Sequence, residues 1–226
     1  AGARGVLRLE SECPSHSRAM QMQFEHPNLM QIGDDNVLDV HPSSQIDPSV
    51  VIKIEGNGNV LRIGERSVLR NMHIVFAGNG NLLEIGARCH LRGSLHLRQN
   101  GSKISIGNGT SMVGAHLFAM EGKALLVGED CMFSSGIYLR TSDEHPIYDL
   151  ADNSRINSAR DVQIGKHVWL GEGVTVAKGS AIPDGCVVGA QSYVSKRLAR
   201  PNSVYAGSPA RLVREGIRWD RKLPPQ

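Results

Sequence analysis

The chain has 226 residues, a formal net charge of +3, 25 Gly and only 4% aromatic residues. This length suits one domain with a real core, with or without an extension, and no window approaches the ~18 apolar residues of a membrane-spanning helix. No Lys/Arg block stands out, so composition gives nucleic-acid binding little support, and neither a nucleic-acid partner nor a membrane span is expected.

A core poor in aromatics and rich in Gly, Val, Ile and Leu implies tight, repetitive backbone geometry. The chain starts at Ala1 rather than Met, as a processed or trimmed chain would, and no signal peptide is visible in the sequence given. Cys13, Cys89, Cys131 and Cys186 are scattered without a C-x-x-C pair. They read as reduced core or surface thiols of a cytoplasmic protein.

In chain order, residues 1–50 show no clear repeat and read as an N-terminal cap or irregular segment. SHSRAMQMQF (15–24) is a candidate short helix there, and 31–55 an irregular first coil. From Gly56 a long repeat begins. The pairs Ile63-Gly64, Ile85-Gly86, Ile106-Gly107 and Val127-Gly128 step by 22, 21 and 21 residues. A coil of three hexapeptides takes about 18, so these coils are expected to carry longer corners, with GNGN and NGS as corner residues.

The step from Val127-Gly128 to Ile164-Gly165 is 37. The surplus falls in an inserted loop over 140–161, and an insertion in a solenoid protrudes and often carries function. Beyond it, Ile164, Leu170, Val176, Ile182, Val188 and Val194 recur every six residues. A helix needs a period near 3.6 and a simple strand a period of two. Period six with small residues after each aliphatic fits a triangular coil: each hexapeptide makes a short strand and a turn, and stacking buries the aliphatic row. The parallel β-helix therefore spans 51–196. Residues 197–226 form a C-terminal cap and tail, with ARLVREGIRW (210–219) a candidate short helix.

The motifs DEHPIY, IGKHVWLGEGVTVAKGSAIPDGCVVGAQSYVSK and AGSPARLVRE, in that order, resemble the hexapeptide-repeat acetyltransferases. HPIY with the downstream Arg155-Ile156-Asn157, HVWLG and GIRWDRK is most similar to the capsule O-acetyltransferases acting on sialic-acid-containing polymers. The resemblance implies a left-handed β-helix, a homotrimer with sites between subunits, acetyl-CoA as co-substrate, a loop histidine as general base and no metal. It implies O-acetylation of a carbohydrate, with a bacterial surface polysaccharide as acceptor.

A sugar hydroxyl needs a base to take its proton as it attacks a thioester, and an imidazole is largely neutral at pH 7. His145 lies in the inserted loop, is followed by Pro146 and matches the family's catalytic histidine. Asp143 or Glu144 could orient its ring, though adjacent loop acids are more often solvated. Trp169 is displaced from the inward row, so it faces out and could wall the site or contact the pantetheine arm. Gly171 and Ala190 would leave room for pantetheine. Ser195, Lys196, Arg211 and Arg214 match the positions where the family holds the coenzyme phosphates.

Three rival readings remain. His73, His96 and His116 recur about once per coil and could line a metal site like that of a γ-class carbonic anhydrase, although their unequal spacing favours surface histidines. The acceptor could be an amino sugar or an antibiotic hydroxyl. The chain could also be a non-catalytic polysaccharide-binding β-helix.

Overall fold

The computed structural model describes residues 25–223, in which every regular element is a strand. The candidate helix over 15–24 and Cys13 lie outside the described residues.

Parallel strands stack into a solenoid of triangular coils. Face 1 is a seven-stranded sheet: Val37–Val40, Val60–Ile63, Leu82–Ile85, Lys103–Ile106, Ala124–Val127, Val162–Ile164 and Ala181–Ile182. Faces 2 and 3 follow it in each coil. In the C-terminal coils they are separate short strands. Met132–Phe133, Trp169–Leu170 and Val187–Val188 lie on face 2, and Ile137–Arg140, Thr175–Val176 and Tyr193–Val194 on face 3. In the N-terminal coils one long strand, such as Val68–Ala77, His90–Arg98 or Ser111–Ala119, bends across both faces. The register slips at the bend, between Leu69 and Met72 and between Met112 and Ala115.

The six aliphatic residues of the hexapeptide row are all buried, none more than 4% exposed. Each contributes about 1.5–3 kcal/mol by leaving water. The glycine after an anchor is required by the coil stacked on it: a Cβ at Gly64 would lie 2.8 Å from the Ala87 nitrogen. GNGN forms the corner between faces 3 and 1, where asparagines stack in ladders. The Asn57 amide donates to Asn79 Oδ1 at 2.8 Å, and the Asn79 amide to Asn100 Oδ1 at 2.9 Å. Between faces 1 and 2, Ser67 Oγ, Cys89 Sγ, Thr110 Oγ1 and Cys131 Sγ each donate to a glycine carbonyl of the next coil. Burial pushes the Cys131 thiol up to about 11, so it stays protonated and serves as a corner post.

The extra residues of the long coils sit elsewhere than expected. Ile74, Leu95, Leu117, Leu139 and Val176 occupy one register column on face 3. Val176 to Ile182 takes six residues, but Ile74 to Ile85 takes eleven. The surplus lengthens the strands on both sides of the face 3/face 1 corner rather than the corner itself. The lower coils therefore project further at that corner than the upper ones. The last wide coil ends there at Met120–Lys123 as a ledge.

The stack extends past 51–196 at both ends. Leu29–Ile32 pairs with the strand Val51–Glu55, and Val204–Ala206 pairs with Val187–Val188. The predicted C-terminal helix is a correction: Arg211–Arg214 is a strand, antiparallel to Val204–Ala206. The last coil exposes a row of unpaired backbone groups, and the returning chain satisfies them. Gly216 at φ 69° then breaks any helical continuation.

Candidate active site

The inserted loop leaves face 3 after Ile137–Arg140 and returns to face 1 at Val162–Ile164, so it stands on the ledge. Its neck is closed by the Arg160 amide donating to the Thr141 carbonyl at 2.9 Å. The Thr141 hydroxyl is clipped to the Met120 main chain below. Tyr148 and Arg155 form an antiparallel bridge, so the loop is a short hairpin.

Polar contacts fix the loop from several sides. Both terminal guanidinium nitrogens of Arg155 donate to the Glu121 carboxylate, at 2.6 and 2.9 Å, and Ser142 Oγ also donates to it. These hydrogen bonds hold the Glu121 carboxyl down to about 2. Asn157 Nδ2 donates to the His145 carbonyl at 2.8 Å and to Asp143 Oδ2 at 2.9 Å, while its Oδ1 accepts from the Ile147 amide at 2.7 Å. One side chain thus holds the backbone on either side of Pro146. Lys178, from the coil above, donates to Asp143 and to the Asn157 carbonyl. The Lys178 hydrogen bond is the chief reason Asp143 is held below the usual carboxylate range.

Glu144 pairs with Arg98 at 3.3 Å and Arg140 at 3.5 Å, and both guanidinium groups pack over Phe118. Asp143 and Glu144 are therefore loop anchors, with their carboxylates engaged by cations. The His145 side chain is exposed.

The expected site residues fall into two groups. Ser195 and Lys196 follow Tyr193–Val194 as Lys178 follows Thr175–Val176, which puts them at the His145 corner. Trp169 is on face 2, between Met132 and Val187, and Arg211 and Arg214 lie on the antiparallel strand that edges the same sheet. Gly171 and Ala190 start the corner between faces 2 and 3. A Cβ on Gly171 would lie 2.8 Å from the Ala190 nitrogen, so that glycine is required by coil stacking. Within one chain His145 and Trp169 sit on different sides of the triangle.

Trp169 is half-buried, and its indole Nε1–H is buried without a partner among the described residues. Trp219 lies against it, ring centroids 6.0 Å apart.

The three histidines do not converge. His73 and His116 share one outward column with Ser94 between them, and His116 Nδ1 meets Ser94 Oγ at 2.8 Å. His96 is in the next column, stacked on Phe118. No group of three or more His, Cys, Asp or Glu placed to hold a metal occurs among the described residues. Glu121, Lys178, Arg98 and Arg140 were not recognised from the sequence. The ladder register would have revealed Glu121 one coil below its loop partner, Lys178 one coil above and Arg98 two coils below, while Arg140 lies four residues before its partner Glu144.

No family model matches the chain. It is 37% identical over 195 residues to a polysialic acid O-acetyltransferase of Neisseria meningitidis, covering 86% of this chain and 80% of the relative. It is 34% identical over 122 residues to a polysialic acid O-acetyltransferase of Escherichia coli, covering 54% of this chain and 39% of the relative. Among solved structures, the polysialic acid O-acetyltransferase OatWY matches with a TM-score of 0.84 at 34% identity, over 87% of this chain and 92% of the other. The polySia-specific acetyltransferase NeuO matches with a TM-score of 0.79 at 30% identity, over 86% and 88%. The fold is the left-handed parallel β-helix of these enzymes. With its repeat, its ledge-mounted histidine loop and these relatives, the chain belongs to the hexapeptide-repeat O-acetyltransferases, in the family of the polysialic acid O-acetyltransferases.

Proposed function

We propose that this protein transfers an acetyl group from acetyl-CoA to a hydroxyl of a sialic-acid-containing surface polysaccharide, with His145 as general base. The observation that carries this reading is the fixed loop: Asn157 holds the His145 carbonyl and the Ile147 amide on either side of Pro146 and the Asp143 carboxylate before it, while the ring stays exposed to an acceptor. In the step, the imidazole takes the hydroxyl proton as the oxygen attacks the thioester carbonyl. The carbon–sulfur bond then breaks, and the thiolate leaves with the proton from the imidazolium. The half-buried Trp169 ring offers an apolar wall beside the thioester.

Because His145 and Trp169 occupy different sides of one coil stack, the complete site forms between copies of the chain in a homotrimer. The exposed Ile147 and Leu150 of the loop and Tyr138 and Tyr193 of face 3 suit such packing. Lys196, Arg211 and Arg214 then serve the coenzyme phosphates, and Arg98 and Arg140 favour an anionic acceptor. Cys89, Cys131 and Cys186 are buried free thiols, in keeping with a cytoplasmic site of action.

The test is thiol release from acetyl-CoA with polysialic acid as acceptor. His145→Ala should lower kcat by about 10²–10⁴-fold. Turnover that survives the substitution removes His145 from the role of base. Wild type that neither binds nor consumes acetyl-CoA removes the whole reading.

A further inference from the structure

The C-terminal tail does more than cover the last coil. From Ile217, whose amide donates to the Asn202 carbonyl at 2.8 Å, it runs back down the face 1/face 2 corner as far as Gly109. Trp219 is 8% exposed. Its ring stacks on His167, centroids 4.0 Å apart and planes 9° apart, and its Nε1 donates to the His167 carbonyl at 2.9 Å. His167 Nδ1 lies 2.7 Å from Asp130 Oδ2 and Nε2 lies 3.3 Å from the Trp219 carbonyl. Arg221 completes the circuit by donating to Asp130 Oδ1 at 2.9 Å, to Ser111 Oγ at 2.7 Å and to the Cys131 carbonyl at 2.8 Å. His167 is two residues before Trp169 and holds a left-handed backbone at φ 51°.

We propose that the tail, through Trp219 and Arg221, is a positioning element for Trp169, fixing the strand that carries it and the tilt of its indole. The proposal rests on the reading that the exposed part of the Trp169 ring walls the active site. Trp219 packs on Trp169 at 6.0 Å and 48°, and the same residue grips the main chain at His167. Trp169 is thereby held from the side and from its own strand. Arg221 secures the arrangement to two lower coils and lies below the Trp169 strand. None of these tail groups need touch substrate to act.

The chain contains two tryptophans, so the indole pair can be read directly. Arg221→Ala and Trp219→Leu are compared with wild type, Trp169→Phe and Arg221→Lys in the full chain. The measurements are kcat and KM for acetyl-CoA with polysialic acid, the near-ultraviolet circular dichroism of the indole pair, and the thermal midpoint. In Arg221→Ala the dichroic signal should collapse and kcat should fall about tenfold or more, with KM within about twofold, and Arg221→Lys should restore part of both. A collapsed signal with unchanged kcat overturns the proposal. A fall in thermal midpoint large enough to account for the lost activity also overturns it, because the tail would then act on stability alone. Should Arg221→Ala not fold, Trp219→Leu decides by the same kcat and KM criteria. Full activity in Trp169→Phe would instead overturn the reading of Trp169 itself. Activity lost in Trp169→Phe but kept in both tail variants would leave that reading standing and remove only the tail.

Discussion

Asn157 and His145 are joined side chain to main chain at 2.8 Å, and the same carboxamide reaches two residues further to the Ile147 amide. The loop carrying the candidate base is therefore held at the base itself. Asn157→Ala removes both contacts and leaves Asp143 with Lys178 alone. We expect kcat to fall about ten- to a hundredfold with KM for acetyl-CoA little changed, because a small misplacement of a reacting group is costly. Steady-state kinetics of the purified variant check this. An unchanged kcat would mean that Lys178 and Glu144 suffice to hold the loop.

The Glu121–Arg155 pair couples the loop to the ledge, and its pH dependence has a defined sign. Glu121 is held down to about 2 by Arg155 and Ser142, against an ordinary value of 4.5. Its contribution is complete above pH 4.5 and is lost as pH falls from there toward 2. Limited proteolysis around 149–154 with an acid-tolerant protease should be slow at pH 5 and accelerate below about pH 3. Glu121→Gln should be cut readily at every pH, and equal protection of the variant would show that the neck at Thr141 and Arg160 closes the loop alone.

His96 acts in the same direction for a different reason. Burial, then the positive charge of Arg98, holds its ring down to about 4 from an ordinary value of 6.5. The folded ring stays neutral where the unfolded one takes a proton, so stability is complete above pH 6.5 and declines from there toward pH 4. His96→Phe keeps a ring stacked on Phe118 and removes the buried Nδ1 that has no partner among the described residues. Denaturant titrations should give a variant that loses less stability than wild type between pH 6.5 and 4. Parallel curves would dismiss the histidine as a cause.

Two glycines separate stacking from backbone conformation. A Cβ at Gly86 would lie 2.8 Å from the Asn108 nitrogen, whereas Gly58 has nothing within 4 Å but holds φ 64°. Gly86→Ala must push coils apart and should cost about 1–3 kcal/mol or more. Gly58→Ala incurs only the left-handed penalty, about 1–2 kcal/mol. Chemical denaturation of the two variants should rank Gly86→Ala as the more damaging.

The upper coils were fully legible, because a strict six-residue aliphatic row admits no helix or flat sheet, and the loop announced itself as a break in the repeat. The lower coils were readable as coils but not in shape. Their anchors give the length of each coil, and only strand register shows that the surplus lies on both sides of one corner. The tail misled because ARLVREGIRW is compatible with a helix, while the edge left by Val204–Ala206 rewards a strand. His145 was identified by its setting. Its supports Glu121 and Lys178 are 24 and 33 residues away and become neighbours only through stacking, while Asn157, 12 residues away, is brought back by the loop's own hairpin.

The ledge separates two properties that most enzymes vary together. The described coils beneath Met120–Lys123 repeat a unit of 21 to 23 residues, and one more or one fewer such unit would change the molecule's height by a strand spacing, about 4.8 Å. The histidine loop and its tethers at Glu121, Lys178 and Asn157 would keep their places through such a change. The salt bridge from Glu144 to Arg98 reaches only one coil further down, so a unit added below that coil would leave it intact as well. The lower stack is therefore an adjustable pedestal: its length can change while the loop at its top stays the same.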